Sequence, residues 1–296
     1  MSKSTIFTGA GVAIVTPMNA DGSVNYEKYR ELIDWQIENG TDAIITCGTT
    51  GESSTLTAEE HVNVMKAAVE QTAGRVPVIA GTGSNDTAFG AELSAEAREM
   101  GCDALLLVTP YYNKASQRGL IAHYNIIADA AKLPTILYNV PSRTGVNIQP
   151  ATVAKLYENP YICAVKEACG DISQIAKIAA MCDIDIYSGN DDQIVPILSL
   201  GGKGVISVLS NVCPKEAHDI CDLWFKGDVK ASAELQLHYL ELCNALFSDV
   251  NPIPVKEAMN MMGWDVGECR LPLCNMDETG RTNLLNVMKK YGLVKN

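Results

Sequence analysis

The 296-residue sequence predicts an α/β protein, a (β/α)8 TIM barrel with a C-terminal helical extension. Three observations carry that expectation. Short apolar, β-branched runs alternate with amphipathic stretches; the alternation recurs about every 30 residues, as β/α units do; and it stops after Gly227. Nearly continuous apolar strands, each followed by a helix, imply a parallel sheet covered by helices. Eight such units in about 225 residues favour a closed barrel over an open doubly wound sheet. An open dinucleotide-binding sheet would want Gly-x-Gly-x-x-Gly after an early strand. The nearest match, Gly81-Thr82-Gly83-Ser84-Asn85-Asp86, ends in Asp and reads as a tight loop.

In chain order, Val-, Ile-, Leu- and Ala-rich runs predict strands over 11–16, 43–47, 76–81 and 104–109. Four more follow over 135–139, 162–167, 185–188 and 204–208. Between them, helical spacing of apolar residues marks 26–39, 58–73, 87–100, 116–131 and 172–181. Gly40, Gly74 and Gly101 follow three of these as stop signals. Beyond residue 227 the helix-like segments are 229–248, 255–262 and 282–291, broken at Asn251-Pro252-Ile253-Pro254 and Leu271-Pro272. The expected organisation is therefore a barrel over 1–227, carrying the active site, and a helical layer over 228–296.

The 23 Lys+Arg against 35 Asp+Glu leave a formal charge of −12. That balance argues against nucleic acid, which needs a basic stripe to release phosphate counterions. No run approaches the roughly 18 apolar residues of a membrane span, and the first residues lack a signal-peptide core. The expectation is a cytoplasmic protein. Ten cysteines form no CxxC pair, and several lie in apolar runs, so they read as buried free thiols. The four histidines, His61, His123, His218 and His238, show no metal-binding spacing, and no Gly-x-Ser-x-Gly elbow is present. No metal is expected.

In a β/α barrel the reactive groups project from the C-terminal ends of the strands. Lys166 follows Cys163-Ala164-Val165 and should point inward or lie at the barrel mouth. From a reference pKa near 10.4 only about one amine in 2,500 is neutral at pH 7. Desolvation by about three units would free a nucleophile at a cost of roughly 4 kcal/mol, which suits a Schiff-base lysine. The alternative is a strand-end lysine paired with Glu167 or snorkelling to solvent. Tyr138 closes the neighbouring strand and could place a phenol beside it, with Thr49, Thr50 and Tyr112 as relay hydroxyls. The Gly48-Thr49-Thr50-Gly51 turn can present backbone N–H groups to a carboxylate. Arg143, between Pro141 and Gly145, could clamp a second one or simply be a solvated loop residue.

These strand ends resemble the pyruvate-dependent class I aldolase superfamily and, within it, the dihydrodipicolinate synthase family. The superfamily's Gly-x-Thr-Gly-Glu is Gly48-Thr49-Thr50-Gly51-Glu52, its Schiff-base lysine corresponds to Lys166, and the discriminating segment runs from Tyr138 to Gly145. The resemblance implies a lyase of lysine and diaminopimelate biosynthesis that condenses pyruvate with L-aspartate 4-semialdehyde. Thr49 and Thr50 would hold the pyruvate carboxylate and Arg143 the aldehyde's. Tyr138, Thr50 and Tyr112 would relay protons, with Tyr112 coming from a neighbouring subunit of a homodimer or homotetramer. Gly189 and Ile206 match further pyruvate-pocket positions, and no cofactor is implied.

Feedback-inhibited members of the family bind lysine with a histidine and a glutamate at positions that here are Ala58 and Phe89. Ser53, His61, Asn85 and Tyr111 do match that effector site. Without the glutamate nothing obvious pairs with the effector's ammonium, so lysine inhibition is expected to be weak or absent. Cys47, beside the Gly48-Thr49-Thr50 turn, could make the site sensitive to thiol reagents. Two other readings are a sialic acid or sugar-acid lyase, against which Arg143 argues, and a catalytically silent pyruvate-binding regulator.

Overall fold

The computed structural model describes residues 3–294. Its elements run β1 (Gly9–Ala13), α1 (Tyr26–Glu38), β2 (Ala43–Thr46), α2 (Ala58–Thr72), β3 (Val78–Gly81), α3 (Thr87–Met100), β4 (Ala104–Val108) and α4 (Gln117–Ala131). They continue as β5 (Thr135–Asn139), α5 (Pro141–Thr144), α6 (Pro150–Leu156), β6 (Ile162–Glu167), α7 (Ile172–Met181), β7 (Asp185–Ser188), α8 (Ile194–Leu198), β8 (Gly204–Ser207) and α9 (Pro214–Phe225). Three helices complete the chain: α10 (Val229–Ala245), α11 (Ile253–Met261) and α12 (Glu278–Lys290).

The strands pair in chain order, all parallel, and β8 pairs with β1, closing the expected TIM barrel. The closing seam needs glycine. Gly9 and Gly204 are partners in it, and a Cβ on Gly204 would stand 1.8 Å from the Gly9 carbonyl oxygen.

Strand alternation sorts side chains into two cores. Val12, Ile44, Leu105, Leu107, Leu137, Val165, Ile186 and Val205 pack outward under the helices. Ala13, Ile45, Ile79, Leu106, Ile136, Tyr138, Ala164 and Ile206 fill the barrel. Side-chain caps start the helices, among them Asn25, Asp86, Ser116, Asp171 and Asp228, and Thr57 forms a full capping box with Glu60.

Several boundaries differ from the sequence-based expectation. The first strand spans Gly9–Ala13 rather than 11–16, because the Val15 amide leaves the ladder for the Asn211 side chain. The third begins at Val78, after a proline that has no N–H to give. In the helical layer α11 starts at Ile253, with Pro254 in its first turn instead of acting as a break. The last helix starts four residues early, at Glu278, because Asp277 caps it. Among the described residues no helix is long and apolar enough to cross a membrane.

Candidate active site

Period-two alternation decides which way Lys166 faces. Ala164 points into the barrel, so Lys166 does too, and Glu167 must point the other way. The buried Glu167 carboxylate accepts from Asn139 Nδ2, 3.1 Å from each oxygen, on the outer face of the sheet, and burial lifts its pKa to about 7. The alternative of a Lys166–Glu167 pair is thereby excluded. So is snorkelling, since Lys166 is only 6% exposed.

Register then places Tyr138 directly opposite Lys166 on the adjacent strand. The ammonium nitrogen lies 4.3 Å from the centre of the Tyr138 ring. Burial lowers the Lys166 pKa to about 8; Asp191 opposes the shift and the Arg143 charge adds to it. About one amine in ten is then neutral at pH 7. Burial also raises the Tyr138 phenol, while Arg143 and the Thr49 side chain pull it back.

Both side chains open into a cavity of about 190 Å³. Its wall includes Thr49, Thr50, Arg143, Gly189, Phe247 and Asn251. The Gly48–Gly51 turn is closed by its own Gly51 and Ser53 amides, both donating to the Gly48 carbonyl. Among the described residues the Thr49 and Thr50 amides donate to no internal acceptor, as an anion-binding turn requires. Gly189 is a close approach: a Cβ there would come within 3.0 Å of Lys166 Cε.

Two expected site residues lie elsewhere. Ile206 is buried in the inner core but absent from the cavity wall, where Val208, one alternation further on, takes its place. Tyr112 is 91% exposed, held at φ +72°, and absent from the wall of this chain's own cavity. Cys47 is buried, and burial pushes its thiol up to about 12, which disfavours the thiolate that thiol reagents attack. Sequence reasoning misses Phe247 and Asn251, which reach the cavity from the helical layer. Asn251 Nδ2 donates to Thr50 Oγ1 at 3.0 Å, across 201 positions of chain.

The Gly48–Gly51 turn is anchored from behind. Glu52, in left-handed conformation, forms a buried ion pair with Lys256 at 2.8 Å and accepts the Arg270 amide at 2.8 Å. Lys256 also donates to the Thr16 and Glu268 carbonyls.

Residues 6–291 match the sequence profile of the dihydrodipicolinate synthetase family. The chain belongs to that family. A 4-hydroxy-tetrahydrodipicolinate synthase of Lachnoclostridium phytofermentans is 59% identical over 292 residues, covering 98% of this chain and 99% of the relative. The crystal structure of dihydrodipicolinate synthase from Aquifex aeolicus matches with a TM-score of 0.95 at 44% identity, over 98% of this chain and 100% of that one. The Cyanidioschyzon merolae enzyme, solved with lysine bound, matches with a TM-score of 0.95 at 40% identity, over 98% of this chain and all of its own.

The positions expected to match the family's effector site gather around a second cleft of about 380 Å³, which shares Thr49, Val140 and Arg143 with the Lys166 cavity. Ser53, Ala58, His61, Phe89 and Tyr111 line it. Asn85 is absent from its wall and donates to the Tyr111 carbonyl at 3.3 Å. His61 is committed to the Gly81 carbonyl at 2.8 Å, and burial holds its pKa down. Among the described residues lining this cleft there is no Asp or Glu.

Proposed function

We propose that this chain is a 4-hydroxy-tetrahydrodipicolinate synthase, condensing pyruvate with L-aspartate 4-semialdehyde. The observation that carries the reading is a buried lysine, lowered to about 8, opposite a tyrosine in a cavity that also holds an arginine and two unengaged amides. The neutral Lys166 amine attacks the ketone carbon of pyruvate, whose carboxylate lies on the Thr49 and Thr50 amides. Water leaves and an imine forms. Loss of a methyl proton gives the enamine, whose carbon bonds to the aldehyde carbon of the second substrate while the aldehyde oxygen takes a proton. The adduct's amino group then attacks the imine carbon, and the C–N bond to Lys166 breaks.

Tyr138 is suited to carry the protons because its phenol stands beside the reacting nitrogen. Arg143 offers a planar fork for the aldehyde's carboxylate. Gly189 leaves room for the lysine stem, and Ile206 supports the wall from below. The exposed, strained Tyr112 supports completion of the relay in a neighbouring subunit, in at least a homodimer and, by family resemblance, a homotetramer. The barrel to residue 227 would carry the chemistry, and the layer from 228 would complete it. The proposed setting is the cytoplasm.

The test is borohydride reduction with pyruvate followed by peptide mapping, paired with turnover assays on L-aspartate 4-semialdehyde and on N-acetylneuraminate. A pyruvate adduct on Lys166 and turnover of the aldehyde are expected. An adduct elsewhere, or cleavage of the sugar acid alone, would overturn the reading.

A further inference from the structure

Asn251 lies in the turn between α10 and α11 and lines the catalytic cavity. Its backbone carbonyl accepts from Arg143 Nη2 at 3.4 Å, and its Nδ2 donates to Thr50 Oγ1 at 3.0 Å. The residue is 5% exposed, and its Oδ1 is fully buried with no hydrogen-bond partner among the described residues. An amide oxygen buried without a donor is costly and uncommon, and in a cavity wall it marks a place where a ligand can bring the donor.

We propose that Asn251 is a substrate-binding residue whose Oδ1 accepts a hydrogen bond from the α-ammonium of the amino-aldehyde. This rests on the synthase reading above and deepens it. In an α-amino acid a single carbon separates the carboxylate from the ammonium. A molecule whose carboxylate is held by Arg143 therefore carries its ammonium into the neighbourhood of Asn251, which touches that same guanidinium. Among the described residues of the cavity wall there is no Asp or Glu to receive the ammonium. The other half of the amide orients the relay. Because Nδ2 donates to Thr50 Oγ1, the threonine's own proton is free to be donated into the cavity.

Two variants of the full chain separate these roles. Asn251→Ala loses acceptor and donor. Asn251→Asp keeps an acceptor and loses the donor to Thr50. Each is compared with the parent for pyruvate trapping on Lys166, for KM and kcat with L-aspartate 4-semialdehyde, and for inhibition by succinic semialdehyde, which lacks the ammonium. Thermal midpoint and oligomer mass accompany each measurement. All three proteins are expected to trap pyruvate. In N251A the preference for the amino-aldehyde over its desamino analogue falls at least about tenfold, as loss of one hydrogen bond to a charged group produces. In N251D the preference stays within about threefold of the parent while kcat falls. Equal weakening of both aldehydes in N251A, or a lost preference in N251D, overturns the assignment of Asn251 alone. Failure of the parent protein to trap pyruvate brings down the synthase reading and this assignment with it.

Discussion

A lysine held near a pKa of 8 is destabilising, and replacing Lys166 with methionine measures by how much. Its ordinary value is 10.5, so burial has moved it by about 2.5 pH units, equivalent to ~3 kcal/mol. The folded value lies below the unfolded one. Between the two, the unfolded chain binds the extra proton, so stability rises with pH from about 8 to about 10.5. The cost is fully present below pH 8 and vanishes above 10.5. Lys166→Met should therefore stabilise the protein at pH 7 by ~1–3 kcal/mol, the lower figure allowing for the cation that the buried Asp191 loses. At pH 9.5 the gain should be about 2 kcal/mol smaller. Urea unfolding at the two pH values, at one fixed protomer concentration, reads both numbers. A variant less stable than the parent at pH 7, or a gain that does not change with pH, would refute the claim that desolvation tunes this amine.

Gly189→Ala forces a methyl to within 3.0 Å of Lys166 Cε and 2.7 Å of Ala168 Cβ, so it should cost ~1–3 kcal/mol and slow pyruvate trapping; an unchanged trapping rate would show that the pocket yields there. Lys256→Met leaves Glu52 buried without its cation and should cost ~3–5 kcal/mol, while adding Glu52→Gln should recover part of that loss in a double-mutant cycle. L-Lysine below about 1 mM should leave turnover essentially intact, because its ammonium would enter a cleft lacking carboxylates; abolition of turnover in that range would contradict the structure's account of Ala58 and Phe89.

What was legible in the sequence depended on how local its cause was. Eight strands were readable because each is a short apolar run between helices, and Lys166 could be placed inward or at the barrel mouth because it follows the apolar run Cys163-Ala164-Val165 at the end of a barrel strand. Tyr138 could be set beside it from strand order alone. The end of the first strand was misread because Ile14 and Val15 look like strand residues, yet the Val15 amide is claimed by Asn211, 196 positions away. Ile206, expected at the wall from the family resemblance, does face the barrel interior, and Val208 stands in the cavity wall one alternation further on. Parity gives the facing of a side chain but not how deep the cavity reaches. Cys47 is adjacent in sequence to the Gly48–Gly51 turn, but its chain direction at φ +53° sends the thiol into the core. Asn251 and the Glu52–Lys256 pair were invisible because their partners lie some 200 residues away.

Those long connections set a timetable. The turn at Thr49 and Thr50 leaves the ribosome early, but Glu52 meets the Arg270 amide only 218 residues later. At about 5–20 residues per second, some 10 to 45 seconds of synthesis separate the two. Throughout that interval the nascent barrel carries a buried-to-be carboxylate with no cation and a threonine with no amide beside it. The last quarter of the chain therefore acts as a delayed switch, and the cavity of a newborn chain lacks part of its wall until its tail folds back over its head.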